Sequence, residues 1–184
     1  MKEATASARS SPGSKGRTKV VLYNPRAVFF TMPLALLAIG SELDPEQYEV
    51  VIVDGRLEPD PERAVLQQLE GALCLGVTVL TGAPISDALR ISRVAKRARP
   101  DLPVVWGGWH PSMFARECLA EPSVDVTVRG QGEETLPRSC GGSPPGNRSR
   151  VARDAPSDSR TAASVRIRRD RWHRLTGSAP TTMR

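Results

Sequence analysis

Aromatic residues are scarce in this 184-residue chain, at 4%. Cysteine is scarcer still: Cys74, Cys118 and Cys140 form an odd, scattered set without metal-ligand spacing. Such a set argues against a disulfide framework and fits a reducing cytoplasm. Long apolar runs are missing too. The longest, Ala27 to Gly40, is broken by Thr31 and Pro33 and falls short of the roughly 20 residues that span a bilayer. Lys2 and Arg9 are not followed by an apolar stretch, so no signal peptide is expected. The usual nucleotide fingerprints are also absent. After the first strand stands Asn24-Pro25-Arg26-Ala27-Val28-Phe29 rather than G-x-G-x-x-G, and no G-x-x-x-x-G-K-[ST] occurs. Neither a dinucleotide nor a P-loop triphosphate is therefore expected.

Charge is unevenly placed. Residues 1–136 hold 15 Lys+Arg against 17 Asp+Glu, whereas residues 137–184 hold 11 Arg, no Lys and three Asp. The net charge of +6 thus belongs to the tail, and no specific nucleic-acid partner follows from it.

What is present is a regular alternation. Residues 1–18 are Ser-, Ala-, Gly- and Arg-rich and read as a disordered leader. Strands are expected at Lys19–Tyr23, Tyr48–Val53, Ala72–Leu80, Leu102–Trp106 and Val124–Val128. Helices are expected at Pro33–Leu43, Glu62–Glu70, Pro84–Arg99 and Ser112–Ala120, several with Pro in the first turn. The strands are continuous apolar runs, as strands buried on both faces should be. This predicts an α/β fold: a doubly wound, five-stranded parallel sheet, Rossmann-like or flavodoxin-like, of order 2-1-3-4-5. The domain is expected to cover residues 19–137.

From Pro137 the pattern stops. Of the last 48 residues, 36 are Arg, Ser, Pro, Ala, Gly or Thr, with no Glu, Lys, Phe or Tyr. Residues 138–184 are expected to be a disordered tail. Arg, Pro, Gly, Ala and Ser together are what GC-rich DNA yields when read out of frame, so a frameshift near Pro137 is the expectation.

The most informative stretch is 102–134. Two apolar strands end in glycine there, one at Gly107-Gly108 and one at Gly130 and Gly132. In an open parallel sheet, ligands bind beyond such strand ends, and glycine lets a backbone approach closely. A phosphoacceptor receiver domain fits poorly, because its acidic and lysine positions hold Asn24, Thr81 and Arg129.

The segments Gly76-Val77-Thr78-Val79-Leu80-Thr81, Val105-Trp106-Gly107-Gly108-Trp109-His110-Pro111-Ser112 and Val124-Asp125-Val126-Thr127-Val128-Arg129-Gly130-Gln131-Gly132-Glu133-Glu134-Thr135 resemble one family. It is the N-terminal cobalamin-binding domain of cobalamin-dependent radical S-adenosylmethionine enzymes, and the resemblance covers about residues 18–137. Where that family usually reads G-E-G-E, this chain has Gln131 at the second place. The resemblance implies cobalamin as cofactor, its corrin lying against the strand ends and its nucleotide tail entering the sheet edge. It implies cofactor contacts at Asn24, Thr78, Leu80, Thr81, Gly107, Gly108, His110, Gly130, Gly132 and Glu133. Thr78 and Leu80 would line the tail's channel, while Gly107 and Gly108 would leave room for it.

Two features of cobalamin proteins are missing. There is no D-x-H-x-x-G with its cobalt-binding histidine, as in many radical-enzyme members. There is also no C-x-x-x-C-x-x-C, so no iron–sulfur cluster is expected in this chain and no complete catalytic site. The implied partner is a separate radical S-adenosylmethionine domain, and the implied function is the cobalamin-binding part of a methyltransferase or cyclase-like enzyme. The competing reading is a flavodoxin-like regulatory or interaction domain without a corrin. Individual residues keep plainer alternatives: His110 as a helix-start or surface histidine, Phe29 and Phe30 as packing residues, Glu133 and Glu134 as helix-favouring acids. Retranslating the gene in its other two frames should continue the helix begun at Gly132 and reveal a C-x-x-x-C-x-x-C; if neither frame does so, the frameshift expectation fails.

Overall fold

Strand β1 (Thr18–Asn24) enters the middle of the molecule with four consecutive residues, Val20 to Tyr23, essentially without exposure. Successive strand side chains point to opposite faces, so such a run demands cover on both sides. In the computed structural model, residues 16–27, 32–133 and 135 are described, together with the backbone of 164–167. Phe29, Phe30 and Glu134 lie outside the described residues, as does most of the tail.

Five strands run parallel in the order β2-β1-β3-β4-β5, as expected. They are β1, β2 (Tyr48–Asp54), β3 (Ala72–Thr78), β4 (Val104–Gly107) and β5 (Val126–Arg129). A sixth strand, β6 (Ser164–Ile167), pairs antiparallel with β5. The expectation of a tail without regular structure is corrected at these four residues. Ser-Val-Arg-Ile carries β-branched residues alternately, which suits a strand, and the outer edge of β5 offers unpaired backbone groups to it.

The two faces are covered differently. Val21, Tyr23, Leu75, Val77, Val104 and Trp106 form one core with α2 (Pro61–Gln68), α3 (Ala83–Ala98) and α5 (Ala115–Ala120). Val20, Leu22, Cys74, Val105, Val126 and Val128 face the other way, where α1 (Leu34–Ser41) supplies Leu36. Helix α2 begins where Asp60 accepts the Arg63 amide at 3.1 Å, with Pro61 in its first turn. Helix α3 carries Lys96 and Arg97 in its last turn, where the helix dipole favours cations.

Three of the differences from the expected boundaries have a plain physical cause. Strand β4 starts at Val104 rather than Leu102, because Pro103 has no N–H to donate. Strand β5 starts at Val126, because the Asp125 carboxylate takes the Val104 amide at 2.8 Å. The helix expected at 112–120 is two pieces, α4 (Trp109–Met113) and α5, broken at Phe114 with φ −125°. The break lets Ala115 and Cys118 turn inward while Trp109 and Met113 stay exposed. Among the described residues no helix is long and apolar enough to cross a membrane.

Asp125 is buried and forms an ion pair with Lys96, whose amine also donates to the Leu102 carbonyl at 2.6 Å. Removing one partner of a buried pair strands the other charge. Asp125→Ala should therefore lower unfolding free energy by about 3–5 kcal/mol in urea titrations, and a loss under about 1 kcal/mol would contradict this role.

Candidate functional site

The right-handed crossovers bring the C-terminal ends of all five parallel strands to one edge. On the α1 face of that edge, two neighbouring strands lack side chains. Gly76 of β3 pairs with Val105 of β4, and Thr78 pairs with Gly107. A Cβ at Gly76 would lie 2.8 Å from Leu22 Cδ2, whereas one at Gly107 would find only Val128 Cβ, at 3.9 Å. Leu22 thus takes the space over Gly76, and a channel of about 110 Å³ lies between the sheet and α1. Ala35, Leu36 and Ile39 of α1 form one wall. The sheet forms the other, with Leu22, Gly76, Thr78, Val105, Gly107 and Val128, and Gly108, Gly130, Gly132 and Glu133 stand at the strand-end rim. The lining is mostly apolar, with the Thr78 hydroxyl and the Glu133 carboxylate as polar groups.

Six of the ten sequence-derived site residues thus line one channel: Thr78, Gly107, Gly108, Gly130, Gly132 and Glu133. The other four stand outside its lining. Asn24 turns toward β2 and donates to Asp54 Oδ1 at 3.2 Å. Asp54 is itself gripped by Arg56, whose guanidinium holds its carboxyl below the usual range. Leu80 is 54% exposed. Thr81 Oγ1 and His110 Nδ1 lie 3.3 Å apart, and the His110 ring packs on Phe114 at 5.1 Å between centroids. Sequence reasoning missed the α1 wall and Gly76. The only linear signals for them were a glycine interrupting the apolar run of β3 and a helix apolar on all sides.

The loop after β4 is held by backbone. The Val79 amide donates to the Gly107 carbonyl at 2.8 Å, and the His110 amide donates to the Val79 carbonyl at 3.0 Å. Gly108 sits at φ +98°, ψ −165°, a region that is essentially glycine-only. A Cβ there would also stand 3.1 Å from Thr78 Oγ1 and from the backbone N and O of Val79. The β1 exit is held as well. Asp87 Oδ2 accepts the Tyr23 hydroxyl at 2.6 Å and the Arg26 amide at 2.8 Å, and Arg26 Nε donates to the Gly55 carbonyl at 2.7 Å. Burial, reinforced by Asp87, pushes the Tyr23 phenol well above its ordinary range, so it remains a donor.

Neither described cysteine is placed as a nucleophile. Cys74 is buried in β3, and burial pushes the Cys118 thiol up to about 11. A larger hollow of about 330 Å³ lies on the outer face of α3, beside Arg90, Arg93 and Arg97. Two of its arginines are already engaged, Arg90 by Glu62 and Asp87, and Arg93 by Glu121. The channel is therefore the better-built site, an apolar slot with two polar groups in its lining.

Known proteins point the same way. The family model described as "B12 binding domain" matches residues 21–139. The chain is similar to the anaerobic magnesium-protoporphyrin IX monomethyl ester cyclase of Synechocystis sp., with 30% identity over 110 residues, 56% of this chain and 22% of the relative. It is also similar to the cytidylyl-2-hydroxyethylphosphonate methyltransferase of Streptomyces wedmorensis, with 25% identity over 151 residues, 68% of this chain and 28% of the relative. Among solved structures, the radical S-adenosylmethionine methyltransferase TsrM from Kitasatospora setae superposes with a TM-score of 0.58 at 25% identity, covering 67% of this chain and 25% of that one. The chain spans about a quarter of the length of these relatives.

The two adjacent glycines separate cleanly by stability. Gly108→Ala should cost about 1–3 kcal/mol in thermal or urea melts, because its backbone region excludes a side chain. Gly107→Ala should stay within about 0.5 kcal/mol of the wild type. Equal losses would contradict the geometry described.

Proposed function

The chain belongs to the B12-binding domain family, and from that premise we propose that it is a cobalamin-binding module whose glycine-floored channel receives the nucleotide tail of the cofactor. The observation that carries this reading is the pair Gly76 and Gly107, side-chain-free on adjacent strands of the same face. A long tail ending in a flat ring needs that kind of slot in an otherwise packed sheet.

In this reading Thr78 offers its hydroxyl to the ring end of the tail, and Gly107 and Gly108 let it pass. Gly130, Gly132 and Glu133 border the strand-end rim. Asn24, Leu80, Thr81 and His110 stand on the strand-end edge, where the corrin would rest. That edge is unusually apolar for exposed surface: Trp109 is 66% exposed, and Leu80, Met113 and Phe114 are exposed beside it. A broad, partly apolar ring is a fitting cover.

The channel is smaller than the roughly 300–1,000 Å³ of ordinary small-molecule pockets. Accommodating the tail therefore requires a wall to yield. Helix α1 is that wall, because its eight residues bury only Leu36, whereas the strands opposite are locked in the sheet.

When bound, cobalamin supplies a cobalt centre able to carry a methyl group or to assist radical chemistry. This chain's residues hold and orient it and leave the reaction to the remainder of a radical S-adenosylmethionine enzyme. We place that work in the cytoplasm, with residues 19–137 as the binding unit.

Purified protein should take up hydroxocobalamin at micromolar concentration with a shifted visible spectrum. Gly107→Val should abolish uptake while circular dichroism remains that of the wild type, since the position has room and an ordinary strand backbone. Failure of the wild type to bind in excess cobalamin would overturn the reading; undiminished affinity in the variant would remove the tail from the channel.

A further inference from the structure

Ser112 does not line the channel, yet it ties two of its rims together. Its Oγ donates to the Gly108 carbonyl at 2.7 Å and accepts the Gly130 amide at 3.0 Å. Its own carbonyl accepts Arg129 Nε at 3.2 Å. Gly108 closes β4 and Gly130 closes β5, and both border the channel. Both also hold positive φ, +98° and +76°. Two glycines in such conformations have many alternatives open to them, so something else must fix the gap between the loops. A hydroxyl that donates to one loop and accepts from the other does so with one atom.

Resting on the cobalamin reading above, we infer that Ser112 is a positioning residue that sets the width of the channel mouth. Through that width it gives the site its preference for corrinoids carrying a nucleotide tail. The chemistry of the position is narrow. Threonine can donate and accept at the same time, so it preserves the clamp. Alanine can do neither, and an ionised aspartate would only accept, facing the Gly108 carbonyl with like polarity.

The tail would pass between the two loops that Ser112 joins, whereas the corrin would rest on the strand-end edge outside that gap. Loss of the clamp should therefore weaken tail-bearing ligands and spare tail-less ones. A merely structural serine would affect both alike.

The test is an absorbance titration of the full chain, S112A and S112T with hydroxocobalamin and with cobinamide, which lacks the nucleotide tail. S112A should bind hydroxocobalamin about tenfold more weakly, as expected for one positioned hydrogen bond, and cobinamide within about twofold of wild type. S112T should match wild type for both. Amide exchange at Gly130 should be faster in S112A, since its acceptor is gone. Wild-type binding with unchanged hydroxocobalamin affinity in S112A would overturn this inference alone. So would equal weakening of both corrinoids in step with a lowered melting temperature. If the wild type binds neither corrinoid, the functional reading falls and this inference falls with it.

Discussion

A parallel sheet covered on both faces has no space for a ligand unless side chains are withheld, because protein interiors are packed about as densely as organic crystals. The rest of this structure follows from where they are withheld. Gly76 and Gly107 sit on adjacent strands and face α1; Leu22 fills the space over Gly76, and the channel has its room over Gly107. The same face carries Val20, Leu22, Cys74 and Val126, so the opening is confined to the strand-end edge and does not divide the core.

The two sides of the sheet divide the labour accordingly. The α2, α3 and α5 side holds the large buried groups, including Tyr23, Leu75, Ile91 and Trp106, whose indole N–H is satisfied by Ser92 at 2.9 Å. The buried pair of Lys96 and Asp125 ties α3 to the start of β5. That side supplies rigidity. The α1 side carries a short, lightly buried helix and five glycines around one channel, and it supplies room. Low local stability near a binding site is the expected arrangement, since the elements that must move on binding come from the weakly held end of the structure.

Most of the fold was legible in the sequence because its signals are local. Continuous apolar runs marked β1, β2 and β3, and prolines at 61, 84 and 100 punctuated α2 and α3 to within one or two residues. The strand order followed from general rules of parallel sheets. What escaped was non-local. Pro103 and Asp125 moved the starts of β4 and β5 by interactions between strands. The break at Phe114 turns Ala115 and Cys118 into the core. Four residues of the tail reach β5 from far along the chain. The channel was half legible: the glycines at strand ends could be read directly, but the α1 wall depends on which face that helix covers. The Ser112 clamp joins residues 18 positions apart, and no linear pattern announces it.

In the proposed function, the cofactor's tail goes into the space between α1 and the β3–β4 glycines. Methyl-resolved NMR during titration with hydroxocobalamin tests it most directly. The methyl signals of Ala35, Leu36, Ile39, Val105 and Val128 should shift in saturable, equimolar fashion, while those of Ile91 and Val94 on α3 stay in place. Shifts confined to α3 and its arginine-lined hollow, with the α1 methyls unmoved, would contradict it.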